Sequence, residues 1–518
     1  MTDRLDLGAY VYDEGYFLLR APTDDSGCPA THGLPWTPSA EDSGAYRHVF
    51  SYQRSESTIK EAALRLLTAA QHKVFLASFR IGDADLLKAL YEAANRLRGG
   101  VYVISALDEK SLRRGLQSED ADAPGADDLR AQNKRFEDMT SRGISVRGHE
   151  NFHAKFLIVD DREALVSSAN LETSALTGTP QRAATGENGF VVSDRAEVIR
   201  LARYFTRLWH ACTYEMPPGQ GHTVQRRSAS PSPCRVPAAG RPPSVIWTYP
   251  GEPGVLQTIH EVIRRARHEL LLATYSLNGL TDEPDLLLTP LEATIRIHQP
   301  RVSLLVRARN KHTPTRHDAK TLAGLGVRIY GDSLTHVKAA IADERHGAVF
   351  SANFDAEHGL NSGAEVGVAL ENHPGLHETV RYLRHAMSHA DLTFTPNPTQ
   401  REMDARLGAN WRTPWPLDPV IPIICSDPDW QRFDTCARSG PVLYSQTRNG
   451  ELHLHAGDRK WRLTAPSATS GQQLNNAGQA AHTNTTQLLE SWLSPRTKKP
   501  GTPAERGFCP AVFLRTRD

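Results

Sequence analysis

Two hydrophobic rhythms alternate along the first four hundred residues, and the whole alternation occurs twice. In the first pass, Arg47–Tyr52, Lys73–Phe79 (KVFLASF) and Val101–Leu107 are short apolar runs that predict buried strands. Ser55–Ala70 and Ala84–Leu97 place apolar residues at helical spacing, with Ser57 as cap of the first helix and Glu61 one turn on. Asn133–Ser141 predicts a helix that Gly143 ends, and Ile144–Arg147 a further strand. Ala154–Val159, a turn at Asp161-Arg162-Glu163 and Ala164–Ser167 then read as a hairpin. Strands alternating with helices indicate an α/β layer structure.

The second pass repeats the order. Ser244–Tyr249, the helix Val255–Arg267, the strand Glu269–Tyr275 (ELLLATY), Val302–Val306 and LAGLGVRIY (Leu322–Tyr330) match their first-pass counterparts in turn. ENGFVV (Glu187–Val192) likewise matches EVGVAL (Glu365–Leu370). The period is too long for a solenoid, so it means two homologous halves. The predicted organisation is a lead-in over 1–43, lobe 1 over 44–215, a Pro/Ser/Arg-rich linker over 216–243, lobe 2 over 244–395, and a small β-rich C-terminal module over 396–518. Within that module Val442–Thr464 reads as three strands joined at Asn449-Gly450 and Gly457-Asp458. Glu119–Asp128 is acidic and reads as a solvated loop.

At 518 residues, core burial is not limiting, and a net charge of +1 argues against a protein that grips nucleic acid through its overall field. Six cysteines with no C-x-x-C spacing suggest neither a disulfide framework nor a zinc site. The N-terminus has no signal-peptide pattern and no stretch reaches bilayer-spanning length, so the expectation is a soluble, cytoplasmic chain without stable membrane association.

The chemistry sits where the two passes coincide. NFHAKFLIVDDREALVSSAN holds His153, Lys155, Asp160, Ser168 and Asn170; THVKAAIADERHGAVFSAN holds His336, Lys338, Asp343, Ser351 and Asn353 at the same offsets. A lone His-x-Lys is usually structural, but a doubled set with matching Asp and Ser-x-Asn is not an accident of composition. In a strand, residues two apart share a face, so imidazole and ammonium can meet one phosphoryl group. Attack on a phosphodiester needs a nucleophile, an acid for the leaving oxygen and fixed positive charge around phosphorus. Two facing half-sites supply two imidazoles, two ammoniums and several neutral donors: one histidine can attack while the other delivers a proton, with no metal or other cofactor required.

These motifs resemble those of the phospholipase D superfamily, whose signature is H-x-K-x4-D followed by G-S-x-N, over roughly Ser43 to Thr395. The resemblance implies two α/β/α sandwich lobes with one active site between them, complete in a monomer, and metal-independent cleavage through a phosphohistidine. It casts His153 as nucleophile and His336 as general acid, with Glu187 and Glu365 each orienting the histidine of the other half. Ser167 and Phe350 stand where the family has Gly, and bulky Phe350 is expected to reshape the phosphate pocket. The stretch Thr177–Thr185 is expected to form an extra loop near the site. Asp160 and Asp343 argue against the tyrosyl-DNA phosphodiesterase branch.

The motifs do not choose among lipid hydrolases, lipid synthases and nucleases. Thr294–Arg328 is rich in basic residues, among them Arg307, Arg309 and Lys311, which could line a groove for a phosphate backbone, with Arg226 and Arg227 assisting. Trp411 and Trp415 could stack on bases, and the C-terminal module could take a protein partner. The expectation is therefore a nuclease acting on DNA or RNA, with a bacterial defence role by analogy. The alternatives are a soluble lipid head-group hydrolase or transferase, and a weakly active scaffold that binds nucleic acid or a partner.

Overall fold

The computed structural model describes residues 11–20, 44–53, 57–107, 126–149, 152–179, 183–218, 224–237, 239–357, 359–390, 392–407, 442–446, 452–456 and 459–463. The chain groups into two compact units, one of Cys28–Ala308 with Thr321–Asp391, the other of Met1–Gly27, Arg309–Lys320 and Leu392–Asp518. Both motifs belong to the first.

That unit holds two mixed sheets built to one plan. The first contains β1 (Tyr46–Gln53), β2 (Val74–Ala77), β3 (Val101–Ser105), β4 (Ser145–Gly148), β5 (Phe156–Val159), β6 (Glu163–Ser167) and β7 (Ala184–Val192), in the order β4-β3-β2-β5-β6-β7-β1. The second contains β8 (Ser244–Tyr249), β9 (Glu269–Thr274), β10 (Arg301–Arg307), β11 (Arg328–Asp332), β12 (Ala339–Ala342), β13 (His346–Phe350) and β14 (Glu365–Glu371), in the order β11-β10-β9-β12-β13-β14-β8. In each, the three strands that alternate with helices run parallel and the motif hairpin adds on antiparallel. The helices repeat as well: α1 (Thr58–Ala69), α2 (Ala84–Arg96), α3 (Ala126–Ser141) and α4 (Arg195–Ala211), then α5 (Gly254–Arg265), α6 (Leu288–His298), α7 (Thr313–Gly324) and α8 (Pro374–Ser388).

Local sequence explains most boundaries. Ser57 caps α1 by accepting the Lys60 amide, and α1 buries Ile59, Ala62, Ala63, Leu66 and Leu67 on one face. Each large aliphatic so buried contributes roughly 1.5–3 kcal/mol. Gly143 has φ +79, the left-handed conformation that ends α3. The helix starts earlier than the apolar pattern predicts, so Ala126–Asp128 is helical, while 119–125 of the acidic stretch lies outside the described residues. The motif turn sits one residue earlier than expected: Asp160 and Asp161 both have positive φ, as do Asp343 and Glu344 in the second hairpin. Aspartate tolerates that conformation better than most side chains.

The inner faces of both sheets share one core. Phe50, Phe156, Phe190 and Tyr204 from the first half pack in the same cluster as Trp247, Ile341, Val366 and Tyr382 from the second. The segment read as a linker contributes Gln225–Arg226, paired with Tyr214–Met216 at the edge of the first sheet. In the other unit Tyr16–Leu19 pairs antiparallel with Leu392–Thr395, and Gln400–Arg406 is a helix with a complete capping box from Thr399 and Glu402. Val442–Gln446, Leu452–Ala456 and Arg459–Leu463 form an antiparallel three-stranded sheet. Trp411 and Trp415 lie outside the described residues.

Candidate active site

Each motif segment crosses to the other half before joining its own sheet. Phe152 makes a parallel bridge to Ala364, and Thr335 one to Gly186. The His153 amide donates to Ala364 O at 3.1 Å, and the His336 amide to Gly186 O at 2.8 Å. Residues 153–155 and 336–338 are therefore extended but lie ahead of the ladders, which begin at Phe156 and Ala339. Each lysine still reaches back to the histidine two residues before it. Lys155 Nζ donates to His153 O at 2.6 Å; Lys338 Nζ donates to His336 O at 2.8 Å and to His336 Nε2 at 3.0 Å. Both lysines are fully buried.

The crossing delivers each imidazole to the other half's glutamate. His153 Nδ1 lies 3.0 Å and 3.3 Å from the two oxygens of Glu365. His336 Nδ1 lies 2.7 Å from Glu187 Oε1. The carboxylates are held in turn by hydroxyls: Ser168 Oγ donates to Glu187 Oε2 at 2.6 Å, Thr185 Oγ1 to Glu187 Oε1 at 2.9 Å, and Ser351 Oγ to Glu365 Oε2. Burial pushes the Glu187 carboxyl up to about 7, against the opposing pull of the Lys338 charge, the two hydroxyls and the Lys155 charge. Each Nδ1 faces a carboxylate, so Nε2 is the nitrogen that each ring turns away from its glutamate, and in His336 it meets Lys338 Nζ.

Several expectations are corrected. Ser168 and Ser351 do not reach toward substrate; their hydroxyls are spent on Glu187 and Glu365. Asp160 and Asp343 are not part of the catalytic cluster. Asp160 accepts the amides of Gln71, His72 and Lys73 at 2.7, 2.7 and 2.9 Å, and Asp343 those of Arg267, His268 and Glu269 at 2.9, 2.8 and 2.8 Å. Each closes the far end of the motif strand, roughly 20 Å along the chain from its histidine. Those backbone hydrogen bonds hold both carboxyls below the usual carboxylate range, against the opposing effect of desolvation, which is the largest single influence on each. Asn170 and Asn353 are buried, each with Oδ1 unpartnered among the described residues.

Phe350 does not crowd the phosphate position. It precedes Ser351, so its side chain takes the opposite face, where it packs 6.3 Å from Phe354. The partner strand makes room with Gly367 directly across, where a Cβ would stand 2.8 Å from that of Phe350.

The basic stretch divides. Arg307, at the end of β10, lies buried over the ring of Tyr275 at 5.1 Å. Arg309 and Lys311 belong to the other compact unit, where Arg316 pairs with Glu14 at 2.7 Å and Lys320 donates to Asp13 O. Arg227 is engaged by His210 O, Cys212 O and Glu215, and Arg226 lies over Tyr214. Arg227 is thus held within the fold, while Arg226 is exposed at the sheet edge.

Sequence reasoning passed over the residues that brace the histidines. Tyr275 packs edge-on to His336 at 4.7 Å, and Phe79 to His153 at 6.0 Å. Both are the last residue of the matched runs ELLLATY and KVFLASF, so the duplication itself carried the signal. Tyr204 and Tyr382 are a second pair. Tyr204 OH donates to Thr248 O and Glu365 O of the second half, and Tyr382 OH to Ser51 O of the first. Thr185, expected in an extra loop, lies in β7 with its hydroxyl on Glu187.

Residues 63–209 match the family model described as cardiolipin synthase, PLD-like domain. No curated protein matches the chain significantly. Among solved structures it is similar to phosphatidylserine synthase of Haemophilus influenzae Rd KW20, at 14% identity over 67% of this chain and 87% of that one, with a TM-score of 0.48. It is also similar to polyphosphate kinase of Porphyromonas gingivalis, at 16% identity over 63% and 45%, TM-score 0.41. A third similarity is to the phospholipase D family member Nuc of Salmonella typhimurium, at 18% identity over 29% and 95%, TM-score 0.25. With residues 63–209 matching a PLD-like domain and an H-x-K-x4-D motif in each half, the chain is similar to the phospholipase D superfamily across lobe 1.

Proposed function

We propose that this chain is a phosphodiesterase of nuclease type that works through a phosphohistidine. The observation that carries the reading is the crossed pair, His153 on Glu365 and His336 on Glu187, with a buried lysine on the carbonyl of each histidine. His153 Nε2 attacks phosphorus as the bond to the leaving oxygen breaks, and His336 gives that oxygen its Nε2 proton. Before that transfer an arriving phosphoryl oxygen draws the Lys338 ammonium away, and the released Nε2 of His336 takes up a proton from solvent. Water then attacks phosphorus, His336 takes its proton, and the phosphorus–nitrogen bond breaks to restore His153. Lys155, Lys338 and the amides of Asn170 and Asn353 stabilise charge on the phosphoryl oxygens. The residues supply every role, so no metal is invoked.

A nucleic-acid substrate is favoured by what flanks His153. Phe79 is only half-buried, and the Arg80 guanidinium stands 5.8 Å from its ring. A partly open aromatic next to a cation suits a base and its neighbouring phosphate. The test is a substrate panel of plasmid, single-stranded DNA, RNA and phosphatidylcholine vesicles, each with excess chelator. Cleavage of nucleic acid that survives chelation and is lost in His153→Ala is expected. Release of a lipid head group with nucleic acid untouched would overturn the substrate class, and binding without turnover would overturn the enzyme.

A further inference from the structure

The two half-sites repeat in sequence but differ in the hydroxyls that hold their glutamates. Glu187 is gripped at both oxygens, Oε2 by Ser168 and Oε1 by Thr185, and Oε1 is the atom that faces His336 Nδ1. Glu365 has the serine alone: Ser351 is the one hydroxyl on its carboxylate among the described residues. The bridges of Gly186 to Thr335 and of Ala364 to Phe152 align the two strands, so the position of Thr185 is taken in the second half by Gly363. Gly363 has φ +96, a conformation a β-branched residue does not adopt without strain, so that backbone cannot carry the same hydroxyl.

We propose that Thr185 is a positioning residue that makes the half-sites inequivalent, holding Glu187 Oε1 against His336 so that His336 is the readier of the two histidines to deliver the leaving-group proton. The inference rests on the phosphodiesterase reading and adds a residue to it. A hydroxyl that donates to a carboxylate satisfies part of its charge and leaves it a weaker partner for an imidazolium. The groups that face Glu187 are His336 and Lys338 from the second motif, Lys155 from the first, Ser168 and Thr185, with Tyr382 on α8 close enough to sense its charge. Of these Thr185 has no counterpart across the pseudo-repeat, whereas the lysines and serines are matched. Lys338 Nζ at His336 Nε2 acts in the same direction, since an ammonium beside the ring disfavours its protonated form.

Thr185→Val removes the hydroxyl at constant shape, and Thr185→Ser keeps it; Thr185→Ala replaces the first if valine is not accommodated. Glu187 in Thr185→Val becomes the stronger base and holds the imidazolium to higher pH. The alkaline limb of the kcat profile should move up by about half a unit to one unit, with KM unchanged and Thr185→Ser restoring the wild-type profile. A Thr185→Val profile that overlays the wild type overturns the proposal, as does a Thr185→Ser profile displaced as far as that of valine. Nuclear magnetic resonance titration of the Glu187–His336 pair in the resting protein needs no turnover and separates the two claims. A displaced titration in a chain that cleaves nothing upholds Thr185 and sinks the phosphodiesterase. An undisplaced one overturns Thr185 whatever the activity.

Discussion

His153 Nδ1 and Glu365 Oε1 lie 3.0 Å apart although 212 residues separate them along the chain. The contact is set by backbone as well as side chain, because the His153 amide is bonded to Ala364 O, one residue before the glutamate. Removing the carboxylate charge therefore tests orientation rather than folding. Glu365→Gln should keep the fold, by circular dichroism and thermal melting, and lower kcat by about 10²–10⁴-fold. A loss below tenfold would mean that Glu365 does not hold the ring for catalysis.

Asp160 offers the converse case. Its carboxylate serves three amides at the start of β2 and touches no catalytic group. Asp160→Asn should cost about 2–3 kcal/mol of stability while the folded fraction keeps kcat within a few-fold. The folded carboxyl is held down, so its stabilisation is present above the unfolded value and is lost as pH falls through the folded one. Denaturant titration near neutrality checks the first statement, and turnover corrected for folded fraction the second.

His48 should make the fold sensitive to acid. The residue is partly exposed, but its Nε2 is sealed from solvent and its ring is packed with Phe50, Phe190 and Tyr382. Burial pulls its pKa from 6.5 down to about 4. The unfolded chain therefore binds a proton that the folded one refuses, and stability falls as pH drops from about 6.5 toward about 4. The loss is about 2 kcal/mol once partial exposure is allowed for. His48→Phe should flatten that interval in melts taken across pH; an unchanged slope would assign acid sensitivity elsewhere.

Asn188 is a cost with no visible return. It is fully buried, and neither side-chain atom has a partner among the described residues. The matched residue in the second half is Val366, a member of the shared core. Asn188→Val should raise stability by about 1–2 kcal/mol, read from the denaturation midpoint. Destabilisation would show that the amide is satisfied within the folded protein.

The chain by itself determined the α/β alternation, its duplication and the doubled histidine and lysine set, because periodicity and spacing are local properties that the backbone reads directly, whereas the two glutamates were implied by the family resemblance. Lys73–Phe79 and Glu269–Tyr275 announced the central strands, and Ser57 its cap. Tertiary structure alone decided what the polar residues of each motif do. Asp160 and Asp343 look catalytic on paper, yet their acceptors find amides 74 to 89 positions upstream. Ser168 and Ser351 turn from substrate to carboxylate, Phe350 turns away to face Gly367, and Thr185 turns up beside Glu187. The reason is that a hydrogen bond needs a partner within about 3 Å. Which partner arrives there depends on how distant strands cross, and no stretch of sequence records that crossing.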